Sequence, residues 1–296
     1  MMPTSRRKEA VGRVERVGVV GCGLMGSGIA ELSALAGYEV RVAVSSKDSL
    51  VAGRSRILAS LDRAVRAERI GATEGDAAVG RISFTTDLID LADRQLVIES
   101  IAEDKAAKVE LFALLDKTLE DPEAILASNT SSLSITAMAS ATGRPGQVLG
   151  LHFFSPAQLI PLVEIISSLQ TAESVLARAE EFVTVGLGKQ AIRSTDRAGF
   201  VVNALLMPYV LAAVRMVESG FASAETIDRG MTLGCSHPVG PLKLADLIGL
   251  DVLRSVADAL YDEFKNALYA PPPLLTRMVE SGRLGRKAGR GFYHYG

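Results

Sequence analysis

The stretch VGVVGCGLMGSGIAELSALAG, residues 17–37, decides how the chain is read. A β-branched run, Val17, Val19 and Val20, leads into Gly21, Gly23 and Gly26 at the spacing G-x-G-x-x-G, and an amphipathic segment follows without a break. Each glycine meets a different steric demand of a strand–turn–helix that wraps a pyrophosphate. Gly21 permits the tight turn, Gly23 lets the backbone approach the phosphates, and Gly26 lets helix and strand sit close together. The helix starting here aims its unpaired amides and positive dipole end at the phosphates. Leu24 and Met25 lie within the same loop and are counted with the glycines as cofactor contacts.

Outward from this unit, short apolar runs alternate with longer helical patterns. The runs are 16–21, 38–44, 95–101, 124–129, 148–154 and 162–166. Between the third and fourth, residues 104–119 place Val109, Phe112, Leu115 and Leu119 at spacings of three and four, one apolar helical face. This alternation predicts an α/β fold: a Rossmann-type, mostly parallel sheet with helices on both faces. After residues 186–200 the β-branched runs stop, and helical segments broken at glycine and proline continue to the end. The reading is a tail over 1–15, a dinucleotide-binding domain over 16–195 and an all-helical domain over 196–296. The helix expected at 200–217 is apolar on every side, so it needs cover from more than one neighbour: the first domain and another helix, of this chain or of a second subunit.

With 296 residues, 48% of them hydrophobic, the chain has enough apolar surface for two moderate cores. A formal net charge of -2, from 32 basic and 34 acidic residues, gives no broad field for a polyanion and argues against nucleic acid. Two cysteines, Cys22 and Cys235, make no disulfide framework, which suits a reducing compartment. No apolar signal core precedes Val17, so the expected location is cytoplasmic. Asn203, Pro208 and Arg215 interrupt the longest apolar run and argue against a membrane span. Histidines and cysteines show no metal-ligand spacing, and no metal is expected.

The second strand of a dinucleotide fold usually ends in a carboxylate that bonds the ribose hydroxyls. Here that place holds Ser45, followed by Ser46 and Lys47. A carboxylate repels a 2′-phosphate, whereas two hydroxyls and an ammonium receive one through charge-assisted bonds. The balance tips slightly towards NADP(H) over NAD(H), with Asp48, three residues on, as the alternative ribose partner.

Among three histidines, His152 stands at the end of an apolar strand beyond the glycine loop, where open α/β sheets present their ligand crevice. His237 precedes Pro238 in a turn and His294 lies in a tyrosine-rich tail, so both read as surface or packing residues. Glu164 interrupts another apolar strand, where a charge needs a partner. A fold-back about Gln158 sets positions 152 and 164 opposite each other on one face, a carboxylate orienting an imidazole for proton removal. Residues 127–135, ASNTSSLSI, gather hydroxyls and an amide at a strand end, and Asn203 sits within the most apolar helix.

These residues fall in segments that together resemble the short-chain L-3-hydroxyacyl-CoA dehydrogenases, nearest the bacterial 3-hydroxybutyryl-CoA dehydrogenases. The segments are GCGLMGSGIA, VIESIAEDKAAK, LASNTSSL, GLHFFSP, LVEII, GFVVNALL, HPVGPLKLADLIGLD and GRKAGRGFYHY. The resemblance runs from Val17 to Tyr295. It implies a bilobal, dimeric enzyme that binds an acyl-CoA and whose helical domain carries the dimer contact. By motif, His152 corresponds to the catalytic base and Glu164 to its partner. Ser131 and Asn203 correspond to contacts near the reacting carbon, Ser131 also on the cofactor side. Glu103, Lys108 and Lys287 match cofactor-side positions, and Ser60 aligns with a CoA contact.

The chain departs from the family pattern at Ser45, at Ser155 where the pattern has an asparagine on the nicotinamide side, and over residues 156–161. The expected reaction is reversible hydride transfer between a nicotinamide cofactor and a 3-hydroxyacyl-CoA/3-ketoacyl-CoA pair, with 3-hydroxybutyryl-CoA/acetoacetyl-CoA as the default. Alternatives are the same chemistry on an acyl-carrier-protein-bound group or a free sugar acid, and a non-catalytic cofactor-binding or structural homologue.

Overall fold

The structure, a computed structural model, describes residues 14–296, so most of the expected tail over 1–15 lies outside the described residues. Contact clustering divides the chain into two compact units. Residues 14–130 and 134–196 form the first; Ser131–Leu133 and Arg197–Gly296 form the second.

The first unit is an eight-stranded sheet in the order β3-β2-β1-β4-β5-β6-β7-β8. Its strands are β1 (Arg16–Val20), β2 (Glu39–Ala43), β3 (Ile82–Thr85), β4 (Leu96–Glu99), β5 (Ile125–Ser128), β6 (Val148–Phe153), β7 (Leu162–Ser167) and β8 (Gln190–Thr195). All neighbours run parallel except β6 and β7. The central strands are buried on both faces, which is why they read as continuous apolar runs. β3 and β8, not anticipated from the sequence, are the two edges. β8 alternates half-buried and exposed residues and β3 is four residues long, so neither carries the apolar signal of a central strand.

Helices of this unit are α1 (Leu24–Leu35), α2 (Lys47–Arg66), α3 (Ala72–Gly80), α4 (Lys105–Thr118), α5 (Ile135–Ala139) and α6 (Glu173–Glu181). α4 starts at Asp104, whose side chain accepts the Ala107 amide proton at 2.8 Å. Its buried face holds Leu111, Phe112 and Leu115, with Leu111 taking the place expected for the half-buried Val109. One core, from Val17 and Ile29 to Ile98, Leu149 and Ile165, joins sheet and helices.

The second unit is helical: α7 (Val202–Glu218), α8 (Ala224–Gly234), α9 (Pro241–Ile248), α10 (Leu250–Phe264) and α11 (Pro273–Glu280). α7 packs on α9, α10 and α11 through Met207, Val210, Leu211 and Val214, while Leu205 is 74% exposed. The expectation of cover on every side is therefore not met within this unit. Two buried aspartates organise the rest. Asp228 accepts the amide protons of Leu242 and Lys243 at the start of α9, and Asp246 accepts those of Phe292 and Tyr293. Tyr293 and Tyr295 also donate their hydroxyls to Asp228 and Asp246, so the C-terminal segment is strapped onto α8 and α9. Burial beside these carboxylates pushes Tyr295 up to about 12. No described helix is long and apolar enough to cross a membrane.

Candidate active site

The glycine loop joins β1 to α1 at the carboxyl end of the parallel strands. Gly21 has φ +92°, and a Cβ there would lie 2.5 Å from the Ser100 carbonyl oxygen. A Cβ on Gly26 would overlap the Gly21 carbonyl. At Gly23 an added Cβ meets no protein atom within 4 Å, so the space it would fill is open to a ligand. α1 begins at Gly23 with no side-chain cap and no acid in its first turn, which leaves its first amide donors for an anion. Leu24 is 70% exposed and Met25 half-buried on the same turn. Glycines of these three kinds and an uncapped helix fit a dinucleotide.

After β2, Ser45, Ser46, Lys47 and Asp48 are all exposed. Ser46 is the N-cap of α2: its oxygen accepts the Ser49 amide proton at 3.1 Å and its hydroxyl donates to Ser49 Oγ at 3.0 Å. A residue read as a phosphate partner thus also holds a helix end.

Glu103 and Lys108 come together, with Lys108 Nζ 3.3 Å from Glu103 Oε2. The stronger partner is one sequence reasoning missed. Glu99, fully buried at the end of β4, accepts from Lys108 Nζ at 2.5 Å, Ser128 Oγ at 2.6 Å and the Ile101 amide at 2.7 Å. Thr130 Oγ1 donates to Glu103, tying the end of β5 to the same cluster. The signal for Glu99 was present, since a carboxylate in the apolar run LVIE raises the question that Glu164 raised.

β6 and β7 form the hairpin expected from a fold-back about Gln158. His152 is paired in register with Glu164, and its Nδ1 lies 2.7 Å from Glu164 Oε2. Glu164 is fully buried and His152 is 5% exposed. With Nδ1–H donated to the carboxylate, Nε2 is the acceptor nitrogen of the neutral ring. The Phe154 ring lies 4.5 Å from the imidazole, and Asn129 Oδ1 accepts the Phe153 amide proton at 2.9 Å, which fixes the end of β6. Ser155 is exposed in the turn that follows. Ser60, half-buried on α2, accepts a long 3.4 Å bond from Gln158 Nε2.

The second unit holds Ser131, Asn203 and Lys287. Ser131 and Asn203 are half-buried, and Lys287 is bound to Asp251 with Nζ 2.6 Å from Oδ1. His237 is held by the Tyr209 hydroxyl at 3.1 Å. No group of three or more His, Cys, Asp or Glu is arranged to hold a metal ion among the described residues.

Residues 16–197 match the 3-hydroxyacyl-CoA dehydrogenase, NAD binding domain, and residues 199–295 match the 3-hydroxyacyl-CoA dehydrogenase, C-terminal domain. The chain belongs to the 3-hydroxyacyl-CoA dehydrogenase family. It is 57% identical over 282 residues to a 3-hydroxybutyryl-CoA dehydrogenase of Mycobacterium tuberculosis, covering 95% of this chain and 99% of the relative. The crystal structure of M. tuberculosis FadB2 superposes with a TM-score of 0.94 at 57% identity, over 96% of this chain and 100% of that one. That of the (S)-3-hydroxybutyryl-CoA dehydrogenase PaaH1 from Ralstonia eutropha gives 0.89 at 41% identity, over 96% and 99%. Membership in this dehydrogenase family agrees with the glycine loop and with the sheet built around it.

Proposed function

We propose that the protein interconverts a 3-hydroxyacyl-CoA and its 3-ketoacyl-CoA, with 3-hydroxybutyryl-CoA/acetoacetyl-CoA as the working pair. The observation that carries the reading is the buried His152–Glu164 pair, in a sheet whose glycine loop fits a dinucleotide. In the oxidative direction Nε2 of His152 takes the proton of the C3 hydroxyl. Glu164 holds the ring in the tautomer that permits this and stabilises the imidazolium that forms. The nicotinamide, when bound, supplies the acceptor for the C3 hydride. In reduction the protonated His152 returns its proton to the C3 oxygen. Ser131, Asn203 and Ser60 are assigned to the acyl-CoA, and Glu103, Lys108, Ser155 and Lys287 to the cofactor side.

NADP(H) is slightly favoured over NAD(H), because the end of β2 presents Ser45, Ser46 and Lys47 and no carboxylate before Asp48. A homodimer through the helical unit is supported by the exposed Leu205 on the apolar α7. The test is the rate of acetoacetyl-CoA reduction over full ranges of NADPH and NADH. Turnover with either supports the reaction, and kcat/KM at least about tenfold higher with NADPH, about 1.4 kcal/mol, supports the cofactor assignment. No turnover on CoA thioesters, with turnover on carrier-bound thioesters or free hydroxy acids, would replace the substrate.

A further inference from the structure

Two buried charges of the first unit take no part in this chemistry. Glu31, in α1, is 2% exposed, and Lys189, just before β8, is 8% exposed. Neither is in an ion pair among the described residues. Burial pushes the Glu31 carboxyl up from its ordinary value and the Lys189 ammonium down. Arg63 and Arg69 oppose the effect of burial at Glu31 without forming an ion pair with it; a charge buried without a contacting counter-charge is destabilising, so what each one holds is informative.

Both hold the same loop. Residues 154–161, FSPAQLIP, join β6 to β7 and contain no charge of their own. Gln158 Nε2 donates to Glu31 Oε2 at 2.6 Å, and Lys189 Nζ donates to the Ile160 carbonyl at 2.6 Å. Gly28 lets the loop lie on α1: a Cβ there would sit 3.1 Å from Gln158 Oε1 and 3.2 Å from the Ala157 Cβ. One end of this contact is the helix that begins at the glycine loop. The other is the turn of the hairpin whose strands carry His152 and Glu164.

We propose that Glu31 is a positioning residue: its bond to Gln158 fixes the hairpin turn, and with it His152, relative to the helix that begins at the glycine loop. The proposal rests on the hydride-transfer reading above. The proton leaves the C3 hydroxyl oxygen and the hydride leaves C3 itself, for two different acceptors, so a shift of one acceptor relative to the other slows the step even when both are bound. Lys189 holds the far side of the loop, so cutting the Glu31–Gln158 bond displaces the loop without releasing it.

The test compares Glu31→Leu, Gln158→Leu, the double variant and Glu31→Gln in the full chain. Acetoacetyl-CoA is the substrate, with reduced cofactor protiated or deuterated at the transferred position. Each leucine variant should lose about tenfold or more in kcat, within the ~10² that a 1 Å misplacement can cost. Cofactor KM should hold, and the deuterium isotope effect should rise as hydride transfer becomes the slow step. The double variant should be no worse than either single one, as for two halves of one contact. Glu31→Gln keeps an acceptor oxygen and should restore kcat.

Folded leucine variants with unchanged kcat and isotope effect, or losses that multiply in the double variant, would overturn the proposal. If Glu31→Leu fails to fold, Gln158→Leu against Glu31→Gln carries the comparison. If the unaltered protein reduces no acyl-CoA, the substrate reading fails, and amide hydrogen exchange decides the clamp. Faster exchange over residues 153–161 in Gln158→Leu supports it, and unchanged exchange refutes it.

Discussion

Lys108→Met should unfold the first unit more easily than any surface charge removal, and the size of the loss follows from what Lys108 touches. Its side chain is 1% exposed, and its ammonium sits 2.5 Å from the carboxylate of Glu99, a side chain with no exposure at all. Removing it leaves Glu99 with the Ser128 hydroxyl and the Ile101 amide but without a counter-charge. Breaking one side of a buried pair costs about 3–5 kcal/mol. Glu103, 37% exposed, regains water and adds little. With m of about 2–3 kcal/mol per M of urea, a loss near 4 kcal/mol lowers the unfolding midpoint by about 1.3–2 M. The double variant Glu99→Gln/Lys108→Met removes both charges and keeps an acceptor for Ile101, so it should recover most of that loss. Urea melts followed by far-UV circular dichroism read both. A fall below about 1 kcal/mol for Lys108→Met, or a double variant no more stable than the single one, would refute the reasoning that Lys108 neutralises Glu99.

Further outcomes follow from the same geometry. His152→Ala should lower kcat by about 10²–10⁴ with cofactor binding intact, read by steady-state rates and by nucleotide fluorescence titration. Gly23→Ala should keep its melting temperature yet lose cofactor affinity, because its methyl enters open space. Gly26→Ala, whose methyl overlaps the Gly21 carbonyl, should lose both, at a cost of about 1–3 kcal/mol in stability. Ser45→Asp should shift the kcat/KM ratio towards NADH by about tenfold or more, about 1.4 kcal/mol; an unchanged ratio would remove position 45 from 2′-phosphate recognition. Glu31 gives a pH signature. Its folded pKa lies above the reference of 4.5, so folding is disfavoured increasingly as pH rises through that reference towards the folded value. Glu31→Gln lacks this loss, so its stability relative to the unaltered protein should be flat in acid and grow as pH rises above about 4.5, in melts at stepped pH.

What was legible in the sequence was local and periodic. The glycine loop, the central strands and the helical C-terminal region announced themselves through burial on both faces and through spacing. The His152–Glu164 contact was legible because an even separation about a turn puts two residues on one face of a hairpin. The edge strands β3 and β8 were not, since half of an edge strand faces water and its apolar pattern dilutes. Nor were Glu31, Asp228 and Asp246, whose partners lie far along the chain. Gln158 is remote from Glu31, and Tyr293 from Asp228, so no window of sequence contains both halves of either contact. Glu99 was missed for a different reason: its isolation in an apolar strand was visible, but the nearby Glu103 and Lys108 drew the reading.

The single antiparallel step in the sheet has a consequence for how the site assembles. Neighbouring parallel strands must be brought together across a crossover, as β1 and β4 are, with Val17 beside Leu96. The β6–β7 pairing closes across a short turn, with His152 beside Glu164, so the proposed base and its orienting acid form a low-contact-order element. It can zip from its own turn, early in folding, without waiting for distant strands to arrive. The proposed base and its orienting acid are thus carried together on one short segment of chain.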